Sequence, residues 1–97
     1  MNVVVTEAAK ADLWQLCDFI RRDNPVQALT FADDLLTCCQ LRADTPRAYP
    51  LVPRYEHHGI RRRTFQNDLI FYRLTKNDLP ILRILHGARD YESLLFR

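Results

Sequence analysis

Three runs of β-forming residues, separated by two short turn sequences, occupy the stretch from Gly59 to Asp90. The turns read Gln-Asn-Asp at residues 66–68 and Lys-Asn-Asp at residues 76–78. Asn and Asp favour tight turns because they tolerate the left-handed backbone conformation and hydrogen-bond their own backbone. Connections this short join neighbouring antiparallel strands. The sequence therefore predicts a three-stranded meander with strands at residues 60–65, 69–74 and 81–86.

A short strand and two helices are predicted upstream of the meander. The β-branched run at residues 3–5 predicts a first strand, and Thr6 is a suitable N-cap for a helix over residues 7–22. The sequence Asn24-Pro25 predicts a second helix that begins at Pro25, because Asn caps well and proline is tolerated at the first helical position. We expect this helix to run to about Ala43. The short connection makes the two helices an antiparallel hairpin.

Apolar spacing assigns the faces of these helices. On the first helix, steps of three and four residues give an inward face and a polar outward face. The inward face is predicted to contain Ala9, Leu13, Leu16 and Ile20, and the outward face Asp12, Gln15, Asp18 and Arg22. Four further apolar residues lie beside the inward stripes of the two helices: Trp14, Phe19, Leu29 and Leu36. They predict either a broad core or a groove for a partner peptide.

The segment from Asp44 to His58 contains three prolines and is predicted to be an extended linker from the helices to the sheet. His57 and His58 at its end have no Cys or carboxylate at ligand spacing, so we expect a surface pair and no metal site. Cys17, Cys38 and Cys39 lack CxxC spacing and are expected to be reduced, buried apolar side chains.

The 97 residues are expected to form one α+β domain, residues 1–97, with the helical hairpin packed on one face of the small sheet. A short final helix is expected within residues 91–96. A chain of this size has little room for an enclosed cofactor, and we expect none. No apolar run reaches the ~20 residues of a membrane span, and the N-terminus does not resemble a signal peptide. We therefore expect a cytoplasmic protein without a membrane partner.

Positive charge is concentrated in the predicted sheet. Residues 1–58 contain six Lys or Arg and eight Asp or Glu, whereas residues 59–97 contain eight and four, so the net charge changes from −2 to +4. Strand alternation separates Arg61 and Arg63 from Arg62, and the sequence leaves open which face the helices cover. Arginines are expected to gather on the other, open face, where guanidinium groups suit phosphates or carboxylates.

Seven sequence elements, in this order, resemble the RelE/ParE superfamily of bacterial toxins from type II toxin–antitoxin systems. No single element is specific, but their order is, and the resemblance covers nearly the whole chain. The elements are Thr6-x-x-Ala9-x-x-Asp12-Leu13, Asn24-Pro25 with Ala28, Pro46, Gly59-Ile60-Arg61, Ile70-Phe71-Tyr72-Arg73, Ile84-Leu85-His86, and Gly87-Ala88-Arg89-Asp90.

The resemblance implies one of two activities. The ParE-like branch poisons DNA gyrase, and the RelE-like branch cleaves mRNA in the ribosomal A site with basic residues and a terminal His, Arg or Tyr. The Gly-Ala-Arg-Asp continuation after His86 and the absence of Glu from the predicted strands favour the ParE-like branch. His86 would then be structural, with a ring nitrogen bonded to the backbone or to Asp90. If the chain is instead a ribonuclease, the candidate catalytic residues are His86, Tyr91, Arg61, Arg73 and Arg83.

The resemblance also implies partners. A cognate, ParD-like antitoxin would neutralise the toxin, and the complex, rather than the toxin alone, would bind operator DNA. The residues expected to bind the antitoxin are Trp14, Phe19, Leu29 and Leu36. Those expected to bind the gyrase target are Arg61, Arg63, Arg73, Arg83 and Arg89. A third possibility is a regulatory toxin that binds its antitoxin and nothing else.

Overall fold

The computed structural model describes residues 2–41, 45–87 and 90–96. Its elements confirm the predicted order and the α+β class: β1 Asn2–Val5, α1 Glu7–Asp23, α2 Pro25–Leu41, β2 Ile60–Phe65, β3 Asp68–Arg73, β4 Asp78–His86 and α3 Glu92–Leu95. The last strand begins three residues earlier than predicted, and the predicted end of α2 at Ala43 lies outside the described residues. The linker contains two 3₁₀ turns, Pro46–Ala48 and Glu56–His58.

The two helix caps confirm the sequence signals. The Thr6 hydroxyl accepts a hydrogen bond from the Ala9 N–H at 3.2 Å and donates one to the Ile81 carbonyl at 2.8 Å. The Asn24 side chain accepts a hydrogen bond from the Gln27 N–H at 3.0 Å. Thr6 therefore does two things: it starts α1 and fastens that start to the sheet.

The four strands form one sheet in the order β1-β4-β3-β2. β2, β3 and β4 pair antiparallel as predicted, and β1 pairs in parallel with β4, from Asn2 opposite Asp78 to Val5 opposite Ile81. The register between β3 and β4 shifts at residues 71 and 72: Tyr72 pairs with Ile81, whereas Phe71 pairs with Arg83. This shift is a β-bulge, and it lets Ile81 and Ile84 enter the same core.

Both faces of the sheet are covered. The larger core lies under the helical hairpin and includes Ala9, Phe31 and Leu35 from the helices and Ile70, Ile81 and Ile84 from the strands. The second core lies on the opposite face and contains Val52 of the linker together with Ile60, Phe71 and Leu85 of the strands, and the C-terminal segment packs against it. Consecutive residues 70–72 of β3 are accordingly all buried. The prediction of one open sheet face is therefore wrong, because residues 91–96 cover it.

Asp12 is buried, which corrects its predicted place on the polar face of α1. It is 6% exposed, and its carboxylate accepts hydrogen bonds from Arg83 Nε at 2.7 Å, Arg83 Nη2 at 2.9 Å and the Ile84 N–H at 3.0 Å. β1 pairs with β4 only as far as Ile81, so this carboxylate replaces a strand partner for the Ile84 N–H. The free-energy cost of burying the Asp12 carboxylate is offset because these three donors satisfy its oxygens.

Asp68 is the second buried acid in the described part of the chain, also 6% exposed. The strand register places it opposite His86, whose Nδ1 lies 3.3 Å from the Asp68 Oδ1. Burial raises the pKa of the Asp68 carboxyl, and the hydrogen bond and charge of His86 lower it by less. The folded protein therefore binds a proton at Asp68 more tightly than the unfolded chain does.

Replacing Asp12 with alanine is expected to lower the free energy of unfolding by about 3 kcal/mol, because the Arg83 charge and the Ile84 N–H lose their partner inside the protein. Urea denaturation of both proteins measures this difference. Asp18→Ala is the matched control on the same helix, since Asp18 pairs only with the exposed Arg21 and Arg22. Similar losses in the two variants would contradict a special role for Asp12.

Replacing Asp68 with asparagine is expected to change the pH dependence of stability. The raised pKa makes the wild-type contribution of Asp68 greatest below the ordinary Asp pKa of about 4, and that contribution is lost as the pH rises through the folded pKa. The stability of Asp68→Asn relative to wild type should therefore increase between pH 3 and pH 6. Urea denaturation at several pH values measures it, and a difference that is independent of pH would refute the assignment.

Candidate functional site

Arg61 and Arg63 lie on the helix-covered side of β2, around Tyr49 of the linker. Arg61 Nη1 donates a hydrogen bond to the Tyr49 carbonyl at 2.7 Å. Arg63 Nη1 donates to the Cys38 carbonyl at 2.9 Å, and its guanidinium lies 4.9 Å from the centre of the Tyr49 ring. These two arginines therefore connect β2 to α2 and to the linker.

Arg62 and Arg73 lie toward the opposite face. Arg62 Nη1 donates a hydrogen bond to the Tyr91 hydroxyl at 3.0 Å, and the Tyr91 ring packs 4.9 Å from the ring of Phe71. Arg73 ends β3 opposite Ile60 and is exposed. The arginines are thus divided between the two faces of the sheet, which corrects the prediction that they gather on one of them.

Arg83 is held by Asp12, and this contact raises the pKa of its guanidinium. Its side chain is 23% exposed, so little of it faces solvent. Arg89, also predicted to bind the target, lies outside the described residues. Of the five predicted target-binding residues, Arg61 and Arg63 are therefore neighbours, whereas Arg73 and Arg83 are separate from them.

The three consecutive arginines of β2 keep their charge uncompensated by nearby acids. Among the described residues, no acid lies within 4.0 Å of these three arginines. The acids that form ion pairs do so with other cations, as in the pairs Arg54 with Glu92 and Arg83 with Asp12. The partners of Arg61, Arg62 and Arg63 are carbonyls, a hydroxyl and a thiol. The β2 region is therefore a basic surface, as the charge distribution in the sequence predicted.

The candidate ribonuclease residues do not converge. His86 ends β4 opposite Asp68 at the start of β3, whereas Arg73 ends β3 about 17 Å away by the rise per residue of a strand. Tyr91 bonds to Arg62 on the second face. The partner of His86 is Asp68, and not the backbone or Asp90 as predicted, because strand pairing brings Asp68 to it. The structural role of His86 stays a prediction.

The four residues predicted to bind the antitoxin lie in different places: three are on two exposed surfaces, and one packs against the core. Trp14, Phe19 and Leu29 are 77%, 65% and 80% exposed. Leu36 is half-buried and packs against the larger core, as the broad-core alternative predicts. It lies one position from the fully buried Leu35, and the inward face of α2 is wide enough to include both.

Trp14 borders a shallow, mostly apolar groove between the two helices. The groove has a volume of about 320 Å³ and is lined by Lys10, Leu13, Trp14, Cys17 and Ala32. Leu29 lies one turn before Ala32, on the same flank of α2. Phe19 lies about 140° from Trp14 around α1, at 100° per residue, and lines a different hollow next to Asp68 and His86.

The cysteines fit the predicted apolar role only in part. Burial raises the pKa of the Cys39 thiol to about 11 and also raises that of Cys17, so both stay protonated at neutral pH. Cys39 is buried, whereas Cys17 and Cys38 are half-buried. Arg63 Nη2 donates to the Cys38 sulfur, a contact that nothing in the sequence spacing indicates.

Sequence reasoning missed several residues that organise these surfaces. Asp12 follows Ala9 by three residues, a spacing that places it on the inward face and could have revealed it. Tyr49 and the Tyr55–Phe96 pair, whose rings stack at 3.9 Å between centres, depend on long-range packing and leave no local signal. His57 and His58 are exposed, as predicted.

Two further observations apply to the part of the chain that the structure describes. None of its helices is long and apolar enough to cross a membrane. No three His, Cys, Asp or Glu side chains within it are grouped so that they could hold a metal ion.

Comparison with known proteins identifies the family. No curated protein matches the sequence significantly. A solved structure described as the chromosomal ParDE TA system from P. aeruginosa superimposes with a TM-score of 0.71 at 24% identity, covering 89% of this chain and 95% of that one. This likeness shows the fold. The sequence profile of the ParE toxin of type II toxin–antitoxin system, parDE, matches residues 3–91. Because this match covers most of the chain, the chain belongs to the ParE toxin family of type II toxin–antitoxin systems.

Proposed function

We propose that this protein inhibits growth by poisoning DNA gyrase and that a cognate, ParD-like antitoxin neutralises it. Membership of the ParE family supports a toxin. The choice of gyrase over mRNA cleavage rests on one observation: the groups that could transfer protons lie apart from one another and from most of the arginines.

General acid–base cleavage of RNA needs its proton-transfer groups and cations within hydrogen-bond reach of one phosphate. His86 bonds to Asp68 at one end of β3, and Arg73 ends the same strand. Tyr91 bonds to Arg62 on the second face. This separation favours a toxin that acts by binding, and it disfavours the ribosome-dependent ribonuclease.

The basic surface of β2 is the proposed contact with gyrase or with gyrase-bound DNA. Arg61 and Arg63 lie side by side there, and each retains N–H donors beyond the hydrogen bonds it makes within the chain. Arg73 adds an exposed charge at the end of the neighbouring strand. Because Asp12 engages the guanidinium of Arg83, we propose at most a minor direct role for Arg83.

The groove beside Trp14 is the proposed antitoxin site. Its lining is mainly apolar, and it lies between two antiparallel helices, which suits an amphipathic segment bound as a helix in a groove. Trp14 is a large side chain that is 77% exposed in the isolated chain, so a partner can bury it. Tryptophan is also among the residues that dominate binding energy at interfaces. We propose that operator DNA is bound only by the complex with the antitoxin.

Purified protein incubated with gyrase, ATP and supercoiled plasmid is expected to accumulate linear DNA after detergent and protease treatment, because a poison traps the cleaved intermediate. The same protein added to ribosomes programmed with mRNA should leave the message intact. His86→Ala should trap cleaved DNA to within about twofold of wild type, since we assign His86 no chemical step.

Two outcomes would contradict this proposal. Cleavage of mRNA in the ribosomal A site that is abolished by His86→Ala would establish the ribonuclease instead. Inactivity in both assays, with antitoxin binding intact, would support a toxin that is purely regulatory.

Trp14→Ala is expected to weaken binding of the co-expressed antitoxin by about tenfold or more, because it removes a central aromatic contact. Isothermal titration calorimetry measures the affinity. The melting temperature should hardly change, since the Trp14 side chain lies largely outside the core.

Phe19→Ala is the matched control, an exposed aromatic residue of the same helix on its other flank. It should change antitoxin affinity by less than about twofold. Equal losses in the two variants would show that the antitoxin covers both flanks, and an unchanged affinity in Trp14→Ala would exclude the groove.

A further inference from the structure

β2 is an edge strand whose outer side is only half covered. The linker pairs with its first half: the Val52 N–H donates to the Ile60 carbonyl at 2.9 Å, and the Arg62 N–H donates to the Pro50 carbonyl at 3.0 Å. Leu51 and Arg61 form the bridge between these two bonds. The backbone groups of Ile60 and Arg62 therefore point outward, and by alternation so do those of Thr64.

Pro50 ends this pairing for a chemical reason. The next bond of an antiparallel pair would run from the N–H of residue 50 to the Arg62 carbonyl, and proline has no N–H. The Arg62 carbonyl and the Thr64 N–H and carbonyl are thus left facing outward. Within the described ranges, no hydrogen bond from outside the sheet reaches any of the three. They form an open template on which a further strand can pair.

The space beside this template can accommodate a peptide. A hollow of about 460 Å³ adjoins the uncovered edge. Its lining residues are Tyr49, Pro50, Arg62, Arg63, Thr64 and Leu69. Thr64 is exposed, and Leu69 and Tyr49 give the hollow apolar walls on its two sides.

The charges beside the template select the partner. Arg62 and Arg63 project from opposite faces of β2, and no acid lies within 4.0 Å of either among the residues described. A strand paired with β2 would present its alternate side chains to the same two faces, so acidic residues on it would meet a guanidinium on each side. We infer that the outer edge of β2 at residues 62–64 is a docking site for an extended, acidic peptide segment.

A peptide strand fits this edge better than a nucleic acid. A peptide strand supplies, at the spacing of a β-ladder, both the donor and the acceptor that the Thr64 backbone lacks. A phosphate is bound best by guanidinium groups on the same face of the strand, whereas Arg62 and Arg63 lie on opposite faces of β2. The edge also shares no lining residue with the groove beside Trp14, so both can be occupied together.

The probe is a fluorescein-labelled peptide of six residues, with two adjacent Glu at its centre and Val and Thr on either side, and fluorescence anisotropy is the measurement. Adjacent residues of a strand point to opposite faces, so one Glu faces Arg62 and the other faces Arg63. We expect saturable binding that weakens by about tenfold when Glu is replaced with Lys, because each Glu meets a guanidinium. N-methylation at alternate positions should abolish binding in one register and spare it in the other, as strand pairing requires. Hydrogen exchange at the Thr64 amide should slow with peptide bound, while that at Val3, on the opposite edge of the sheet, should not.

Protein variants complete the test. Arg62→Ser and Arg63→Ser should each weaken binding of the peptide. Circular dichroism checks that both variants keep the fold. The inference is overturned if N-methylation has the same effect in both registers, if protection appears at Val3 and not at Thr64, or if an oligothymidine of equal charge displaces the peptide with higher affinity. It is also overturned if the Glu peptide does not bind. Self-association of the two serine variants would then indicate that the arginines only prevent edge-to-edge pairing. The test measures binding alone and is independent of the gyrase result.

Discussion

The carboxylate of Asp12 holds the helical hairpin to the sheet at the point where the sheet lacks a strand. β1 stops at Val5, and beyond it the edge of β4 has backbone groups that need partners. Asp12 supplies an acceptor to the Ile84 N–H and, at the same time, a paired charge to Arg83. A buried acid is costly unless it is satisfied, so this arrangement fixes the position of α1 over β4. Together with Thr6 and the larger core, this contact positions the hairpin on the sheet.

The C-terminal segment, which covers the second face of the sheet, affects where the arginines can lie. Residues 91–96 pack on Phe71 and Leu85, so neither face of the small sheet is left bare. Alternation then sends Arg61 and Arg63 to one side and Arg62 to the other. Each makes its hydrogen bonds to neutral groups, and a neutral partner leaves the positive charge available. The basic character of β2 is thus a property of its edge and not of a face.

How far the sequence could predict this structure depends on the range of each interaction. Turn residues, helix caps and apolar periodicity are local, and they correctly predicted the element order, Thr6 and Asn24 as caps, and the meander. The β-bulge beside Phe71, the partner of His86 and the burial of Asp12 depend on how distant elements pack. The charge of Asp12 favours the polar side of α1, whereas its three-residue spacing from Ala9 places it on the inward side. Trp14 and Phe19 line different hollows because they are separated around α1, and their joint contact with the antitoxin stays a prediction.

The division of surfaces bears on how such a small toxin can be controlled. The groove beside Trp14 and the edge of β2 lie on different elements, and the helical hairpin is joined to the sheet through Asp12 and the larger core. An antitoxin bound to the hairpin alone would leave the β2 arginines accessible. If the β2 arginines bind the target, as proposed, neutralisation would require either a segment long enough to reach the sheet or a change transmitted through the contact between α1 and β4. Because packed cores resist small displacements, a long and extended antitoxin segment is the simpler requirement.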